Sequence, residues 1–208
     1  MLPVSNPKEL LIIFTRNPQL GKCKTRLAAT VGDEAALNIY IFLLKHTVVI
    51  TQDLSMDKQV YYSEAVRKND LWSETIYTKK QQVGDNLGIR MRNAFDEGFR
   101  DGYEKIVLIG SDMYDLNKDD LRKAFDALAE NNFVIGPALD GGYYLMGLQK
   151  VRPELFQNKN WGTSSVLNDT LSNLKNEKVF LLPKLNDVDL YEDIKDVAAF
   201  QEFFTHLK

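Results

Sequence analysis

Two short apolar runs stand out along the chain, Leu10–Phe14 (LLIIF) and Ile106–Ile109 (IVLI). Each run contains β-branched residues and is followed by a polar loop, which is typical of a buried parallel strand. Weaker strand patterns occur at Val60–Tyr62, Phe133–Ile135, Tyr143–Leu148 and Val179–Leu182. These six runs are the predicted strands.

Between the strands, apolar residues recur at the spacing of amphipathic helices. We predict that Asp33, then Asp85 or Asn86, then Asn117 cap three of these helices. Their predicted inward faces are Leu37, Tyr40, Ile41, Leu44 and Val48; Leu87, Met91, Ala94, Phe95 and Phe99; and Leu121, Ala124, Phe125 and Leu128. Two more helices are predicted through Leu167, Thr170, Leu171 and Leu174, and through Ile194, Val197, Ala198 and Phe204.

Strand and helix patterns alternate along almost the whole chain, and no repeat or Gly/Ser/Pro-rich linker interrupts them. Alternation of this kind predicts one α/β domain over residues 1–208, a three-layer α/β/α sandwich with a mostly parallel, Rossmann-like central sheet. In such sheets ligands bind beyond the carboxyl ends of the strands. The residues that follow LLIIF and IVLI are therefore the first places to look for a site.

Composition narrows the class of protein further. The chain has 208 residues, 44% of them hydrophobic, and a formal charge of −3, which argues against general nucleic-acid binding. Its apolar runs are too short for a membrane span. The first residues do not read as a secretory signal, and the lone Cys23 excludes an intrachain disulfide. We therefore expect a cytoplasmic protein.

The loop after the first strand is basic. It carries Arg16, Lys22, Lys24 and Arg26, with no acidic residue before Asp33, and a helix is predicted to start at Thr25–Arg26. Cations and free backbone N–H groups at a strand end suit a phosphate or diphosphate, although the loop could also be a solvated basic turn. It matches neither the P-loop nor the glycine-rich dinucleotide turn.

Carboxylates follow the other strands. Asp112 comes directly after IVLI-Gly-Ser, where it could hold Mg²⁺, which binds one or two carboxylates plus substrate phosphates. Asp189, in an acidic C-terminal stretch, could reach the same sheet edge. Asp140-Gly141-Gly142 precedes an aromatic strand and could approach a ligand or form a plain turn. Trp161 could be a platform for an acceptor or a packing residue.

Together these segments resemble the nucleotide-diphospho-sugar transferase superfamily, the GT-A fold. The resemblance is strongest to a small bacterial family of glycosyltransferases related to the phospholactate and molybdenum-cofactor guanylyltransferases. The matching segments occur in family order: Phe14–Pro18, Gly21–Leu27, Gly84–Met91, Gly110–Asp112, Gly136-Pro137, Asp140–Leu145, Trp161 with Thr163, and Asp187–Asp189.

The resemblance implies a role for each matched position. Arg16, Lys24, Thr25 and Arg26 would bind the nucleotide phosphates, and Gly84, Asp85, Asn86, Leu87 and Gly88 would pass the nucleobase. Asp112 and Asp189 would hold Mg²⁺ or Mn²⁺. Gly141, Gly142, Tyr143 and Trp161 would border the acceptor, and Asp112, Lys24 and Asp140 would carry catalysis, with Asp140 as a candidate general base.

Three functions follow from this resemblance. The leading one is a glycosyltransferase that moves a sugar from a nucleotide-sugar donor to a small acceptor. The second is a nucleotidyltransferase that moves a nucleoside monophosphate from a nucleoside triphosphate to a phosphorylated acceptor. The third is a non-catalytic nucleotide-binding domain. Tyr114 stands where many relatives have proline, and the fuller glycine-rich loop of the nucleotidyltransferases is missing, which favours the first function.

Overall fold

The computed structural model describes residues 8–207, apart from the side chain at position 206. The prediction that the chain has no secretory signal depends on its first residues, and residues 1–7 lie outside the described residues. The strands are β1 Glu9–Thr15, β2 Asp57–Tyr62, β3 Thr78–Gln81, β4 Lys105–Gly110, β5 Phe133–Pro137, β6 Tyr143–Leu148 and β7 Val179–Leu181. The α-helices are α1 Thr25–Val31, α2 Asp33–Thr51, α3 Leu87–Arg100, α4 Lys118–Ala127 and α5 Val166–Asn173. Short 3-10 helices span Pro153–Leu155, Tyr191–Asp193 and Ala198–Leu207.

The strands form one sheet in the order β3-β2-β1-β4-β6-β5-β7. Every neighbouring pair is parallel except those that involve β6, which runs antiparallel to both β4 and β5. The carboxyl ends of the parallel strands therefore meet at one edge of the sheet, and β6 begins at that same edge. The predicted mostly parallel sheet is confirmed.

Helices cover both faces of this sheet. Alternate residues of the two central strands point to opposite faces, as in any strand, and are buried on both sides. Leu11 and Ile13 pack with residues of α2 and α4, whereas Leu10 and Ile12 pack with residues of α3. The result is the predicted three-layer sandwich, and it explains why these strands are apolar without a break.

A third apolar cluster lies beside the sheet and joins α1, α2 and the C-terminal segment. It contains Leu27, Val31, Ala36, Ile39, Leu43, Val188, Ile194, Phe200 and Phe204. Within the described residues, α2 is the one helix long and apolar enough to cross a membrane, yet half of its most apolar window is buried in the protein. That burial is what a core helix between two apolar clusters requires.

Some predicted details were wrong. Strand β3 was not predicted, because its sequence TKKQ has no apolar alternation and it lies at the edge of the sheet. Asp33 is the first residue of α2 rather than its cap, since Gly32 with φ +83° occupies the cap position. The helix predicted through Ile194 and Phe204 is a 3-10 helix that starts only at Ala198. Leu87 was expected to face inward but is 44% exposed.

The predicted caps of the next two helices are confirmed in kind. Asn86 precedes α3 and its side chain accepts a hydrogen bond from the backbone N–H of Ile89. Asn117 precedes α4 and forms a reciprocal capping box with Asp120. Side-chain oxygens at this position satisfy backbone donors that have no partner within the helix. Both helices begin at the carboxyl edge of the sheet.

Gly98 lets α3 lie close to the sheet. A Cβ atom at this position would be 2.6 Å from Cδ1 of Ile106 and 3.0 Å from Cδ2 of Leu10. We expect Gly98→Leu to lower the free energy of unfolding by roughly 1–3 kcal/mol, because a larger side chain overpacks the interface. Arg100→Leu, at an exposed position of the same helix, is the matched control. Equal urea midpoints for the two variants would contradict this close packing.

Candidate functional site

Two neighbouring cavities open at the carboxyl edge of the sheet. The larger, which we call the basic cleft, has a volume of about 730 Å³. The smaller, which we call the aromatic cavity, has a volume of about 240 Å³. Both are lined by Phe14 at the end of β1, Leu87 at the start of α3, Gly110 at the end of β4, and Asp112. The residues after the two strongest predicted strands therefore meet at a shared wall, as the sheet rule predicts.

The basic cleft is bordered by the loop that follows β1. Its cationic lining residues are Arg16, Lys22, Lys24, Arg26 and Arg90, against three acidic residues, Glu64, Asp112 and Asp189. Thr25 also lines the cleft. All four residues predicted to bind nucleotide phosphates thus face one space. A cleft with excess positive charge attracts a polyanion such as a diphosphate.

The aromatic cavity has a different character. Its walls are largely apolar, with Phe14, Met91, Leu108, Met113, Tyr143, Tyr144, Trp161 and Val166 among the lining residues. Its ionisable acids are Asp112, Asp140 and Asp187, and none of the lining residues within the described chain is lysine or arginine. Three of the four predicted acceptor residues, Gly142, Tyr143 and Trp161, line it. The cavity has the apolar walls and few polar groups of a small-molecule pocket.

An ion pair stands where the two cavities meet. Lys24 Nζ donates to Asp112 Oδ2 at 2.7 Å, and the lysine side chain is only 8% exposed. Lys24 has φ +50° and precedes α1, a left-handed conformation that is uncommon for a residue with a side chain. Burial acts to raise the pKa of Asp112, but the positive charges of Lys24 and Arg16 hold that pKa below its ordinary value. Asp112 is therefore a carboxylate at neutral pH.

Buried hydroxyl groups hold the strand ends behind this pair. Tyr40 of α2 accepts a hydrogen bond from the backbone N–H of Arg16 at 2.8 Å, and its hydroxyl lies 3.2 Å from that of Thr15. Ser111 Oγ donates to Thr15 Oγ1 at 3.2 Å and lies 3.3 Å from the Tyr40 hydroxyl. Burial raises the pKa of Tyr40, so it remains a neutral phenol. This network ties the ends of β1 and β4, and with them Arg16 and Asp112, to helix α2.

The C-terminal acidic segment reaches both cavities. Asp189 lines the basic cleft and accepts a hydrogen bond from Arg26 Nη1 at 2.5 Å. Asp187 lines the aromatic cavity instead. Partial burial, and then the charge of Asp140, raise the pKa of Asp187 to about 6, with a smaller contribution from Asp112. Sequence reasoning placed Asp187 in a motif without giving it a role, because two acids two residues apart could not be assigned to different cavities.

The segment predicted to pass the nucleobase, residues 84–88, contributes only one residue to the wall of the basic cleft. Of Gly84, Asp85, Asn86, Leu87 and Gly88, only Leu87 lines the basic cleft. Asn86 caps α3, and the Gly84 carbonyl accepts a hydrogen bond from Arg90 Nε at 2.8 Å. A Cβ at Gly88 would lie 2.7 Å from the Trp161 ring, so this glycine lets the tryptophan approach α3. The roles of these residues toward a nucleobase stay predictions.

The turn before β6 shapes the mouth of the aromatic cavity. Asp140 Oδ1 accepts a hydrogen bond from the Gly142 backbone N–H at 2.7 Å, which is a local turn interaction. Gly141 has φ +91°, and a Cβ there would meet the Ser164 carbonyl oxygen at 2.4 Å. Gly141 is not among the lining residues of the cavity, in contrast to the prediction, and its missing side chain lets the turn lie against Ser164. The Tyr143 hydroxyl is buried and has no hydrogen-bond partner within residues 8–207.

A dedicated protein cage for a metal is not present among the described residues, since no group of three or more histidine, cysteine, aspartate or glutamate side chains converges there. Asp112 and Asp189 nevertheless line one cleft. Mg²⁺ needs only one or two carboxylates when substrate phosphates supply further oxygens. Sequence reasoning missed Arg90 and Gln82 as cleft residues, because neither belongs to the basic loop.

Residues 46–163 match the model of a family described as "Uncharacterized protein conserved in bacteria (DUF2064)", more than half of the chain. The chain belongs to the DUF2064 family. Among curated proteins none matches the sequence significantly.

Several solved structures are similar to this chain. A protein from Desulfovibrio desulfuricans G20, provisionally named a nucleotide-diphospho-sugar transferase, is 30% identical, with a TM-score of 0.85 over 97% of each chain. The 4-diphosphocytidyl-2C-methyl-D-erythritol synthase of Anaerococcus prevotii is 10% identical, with a TM-score of 0.59 over 94% of this chain and 96% of that one. The inositol-1-phosphate CTP transferase of T. maritima is 13% identical, with a TM-score of 0.56 over 95% and 96%.

The predicted superfamily and fold are confirmed by these comparisons, and with them the prediction of a transferase. The structures that are only 10–13% identical show the fold alone.

The Lys24–Asp112 pair can be tested without substrate. We expect the pKa of Asp112 to rise in Lys24→Met, because burial then acts on the carboxylate without the adjacent ammonium group. An NMR titration of the Asp112 carboxyl carbon in metal-free protein measures this. Arg26→Met, which removes the cation paired with Asp189 instead, should leave the titration nearly unchanged.

The same pair makes stability depend on pH. The depressed pKa of Asp112 favours the folded state above the unfolded carboxyl pKa of about 3.9, and this contribution is lost as the pH falls through the folded value. The stability difference between wild type and Lys24→Met should therefore shrink on going from neutral pH to about pH 3. A difference that is constant with pH would contradict the ion pair.

Proposed function

We propose that this chain is a metal-dependent transferase that moves a sugar from a nucleotide-sugar donor to a small acceptor. The observation that carries the proposal is the meeting of the two cavities at Asp112. A cationic cleft suits the donor diphosphate, and an aromatic-walled cavity beside it suits an acceptor. The reacting bond would then lie at the shared wall.

The donor phosphates would be bound by the loop after β1. Lys24 and Arg26 are each paired with an aspartate, whereas Lys22 and Arg16 form no salt bridge within the described residues and add net positive charge to the cleft. The backbone N–H of Arg16 donates to the Tyr40 hydroxyl, which fixes the point of the chain from which this side chain extends. Cations in this cleft would stabilise the negative charge that develops on a departing diphosphate.

The proposed metal ligands are Asp112 and Asp189. The donor set fits Mg²⁺ or Mn²⁺, because both residues offer carboxylate oxygens to the cleft that would hold the phosphates. Asp187 is the competing second ligand, since it lines the aromatic cavity together with Asp112. When bound, the cation would offset phosphate charge as a Lewis acid.

In sugar transfer, the acceptor hydroxyl oxygen forms a bond to the anomeric carbon. The bond from that carbon to the β-phosphate oxygen breaks, and the nucleoside diphosphate leaves with the bonding electrons. The hydroxyl proton passes to a carboxylate, for which Asp140 is the proposed base. Asp140 lines the aromatic cavity, where the acceptor would lie.

Nucleotidyl transfer is the second candidate, favoured by the shared fold with two cytidylyl-transferring enzymes. There an acceptor phosphate oxygen would bond to the α-phosphorus of a nucleoside triphosphate, and pyrophosphate would leave. A non-catalytic nucleotide-binding domain would require only the basic cleft. The aromatic cavity beside Asp112 therefore favours transfer.

The first test is a thermal-shift panel followed by product analysis. Nucleoside triphosphates, diphosphates and nucleotide sugars are compared with and without Mn²⁺ or Mg²⁺. Ligand at 100 times its dissociation constant should add about 2.7 kcal/mol of stability. We expect a metal-dependent shift with a nucleotide sugar and release of nucleoside diphosphate. Release of pyrophosphate from a triphosphate would favour nucleotidyl transfer, and no metal-dependent shift with any nucleotide would contradict both.

The metal ligands are tested by three isosteric variants. Asp112→Asn should abolish the metal-dependent part of the nucleotide-induced shift, because it removes the proposed anionic ligand while keeping the side-chain shape. Asp189→Asn should weaken it, and Asp187→Asn is the matched comparison two residues away. A loss in Asp187→Asn with no change in Asp189→Asn would assign the second ligand to Asp187. Full metal dependence in Asp112→Asn would overturn the metal site.

A further inference from the structure

The charge of the aromatic cavity differs from that of a site for a phosphorylated or carboxylated acceptor. Asp112, Asp140 and Asp187 line it, and no lysine or arginine is among its lining residues in the described chain. Of these acids, Asp112 is neutralised by Lys24. The structure shows no ion pair for Asp140 or Asp187 within residues 8–207, so the cavity retains negative charge.

An anion would have to enter this space without a cationic side chain to pair with. Transfer of an unpaired anion from water into a partly buried site is costly, and like charges nearby increase that cost. The cations of the basic cleft are already engaged or lie elsewhere, because Lys24 and Arg26 are each paired with an aspartate and Arg16, Lys22 and Arg90 line only the other cavity. The charge of a metal ion on Asp112 and Asp189 would be offset by the donor diphosphate in the basic cleft. A neutral or cationic guest meets no such cost.

The lining residues of the aromatic cavity indicate the shape and polarity of the ligand that would fit it. Trp161 and Tyr143 provide broad apolar surfaces, which suit the apolar face of a ring. The Tyr143 hydroxyl is buried without a partner within residues 8–207, and an unsatisfied buried hydroxyl is unfavourable until it gains a hydrogen bond. The carboxylates of Asp140 and Asp187 can accept hydrogen bonds from hydroxyl or ammonium groups.

We propose that the aromatic cavity selects a neutral or cationic hydroxyl compound, such as a polyol or an amino sugar, and excludes phosphorylated and carboxylated acceptors. This inference rests on the proposed function, because it names the acceptor class of that transferase. It also separates the two reactions, since nucleotidyl transfer to a phosphorylated acceptor needs an anion in this cavity.

The selectivity can be measured without knowing the acceptor. The chain has two tryptophans, Trp161 in the cavity wall and Trp72, which is 2% exposed. Fluorescence quenching by caesium ion and by iodide, each normalised to free N-acetyltryptophanamide, therefore reports the charge around Trp161. Trp161→Phe gives the contribution of Trp72. The protein is metal-free and at low ionic strength, so that screening is weak.

We expect the normalised quenching constant to be at least about threefold larger for caesium than for iodide, because negatively charged clefts concentrate cations. Asp140→Asn, which retains the oxygen that accepts from the Gly142 backbone, should reduce this ratio, and Asp140→Asn/Asp187→Asn should bring it close to one. Asp126→Asn, an exposed acid on α4, is the control of equal charge change. Equal quenching by the two ions, or a ratio unaffected by the double variant, would overturn the proposal.

A second arm uses acceptors of matched shape. Methyl glucoside, glucosamine, glucose 6-phosphate and glucuronate are each added to protein, Mn²⁺ and the donor found in the thermal-shift panel. Faster release of nucleoside diphosphate with the first two supports the proposal, whereas acceleration by the phosphate or the uronate alone overturns it. If no donor binds but the caesium preference is present, the proposed function fails while the charge selectivity of the cavity stands.

Discussion

The Lys24–Asp112 ion pair connects the two halves of the site. Lys24 belongs to the loop after β1 and Asp112 to the loop after β4, and the pair closes the space between the ends of two adjacent parallel strands. A half-buried carboxylate without its cation would be costly, and so would a nearly buried ammonium without its anion. Each of the two charged side chains therefore depends on the other for a partner. Their ion pair forms part of the wall that the two cavities share.

The register of the strands brings the loops of the site together. Phe14 of β1 lies opposite Gly110 of β4, so these two strands end at the same level of the sheet. The reversed strand β6 places the turn at Asp140–Gly142 at that edge as well, although this turn comes before its strand and the other loops come after theirs. Three loops that are far apart in the sequence thus lie next to one another. Their polar residues can meet although each loop is short.

The sequence was sufficient for the parts that depend on local pattern. The unbroken apolar runs of β1 and β4, the cap Asn117 and a cap at Asp85 or Asn86 were predictable, because burial on both faces and capping leave a signature within a few residues. The position of the site at the carboxyl ends of the strands followed from the alternation of strand and helix patterns. Strand β3 was missed because its pairing depends on β2 and not on its own residues, TKKQ. The separation of Asp187 from Asp189 depends on tertiary packing, which a motif two residues long does not contain.

That packing has an identifiable cause. Val188, between the two acids, is buried in the third apolar cluster with Leu27 of α1. Arg26, the neighbour of Leu27, is exposed and donates a hydrogen bond to the Asp189 carboxylate. Burial of the apolar residues thus brings the C-terminal segment against α1, and the acids on either side of Val188 are delivered to the basic cleft and the aromatic cavity. The hydrophobic cluster beside the sheet therefore places one acid in each cavity, whereas the cations that distinguish the basic cleft come from the loop after β1 and from Arg90. The proposed transfer from an anionic donor to a neutral or cationic acceptor would use this difference in charge.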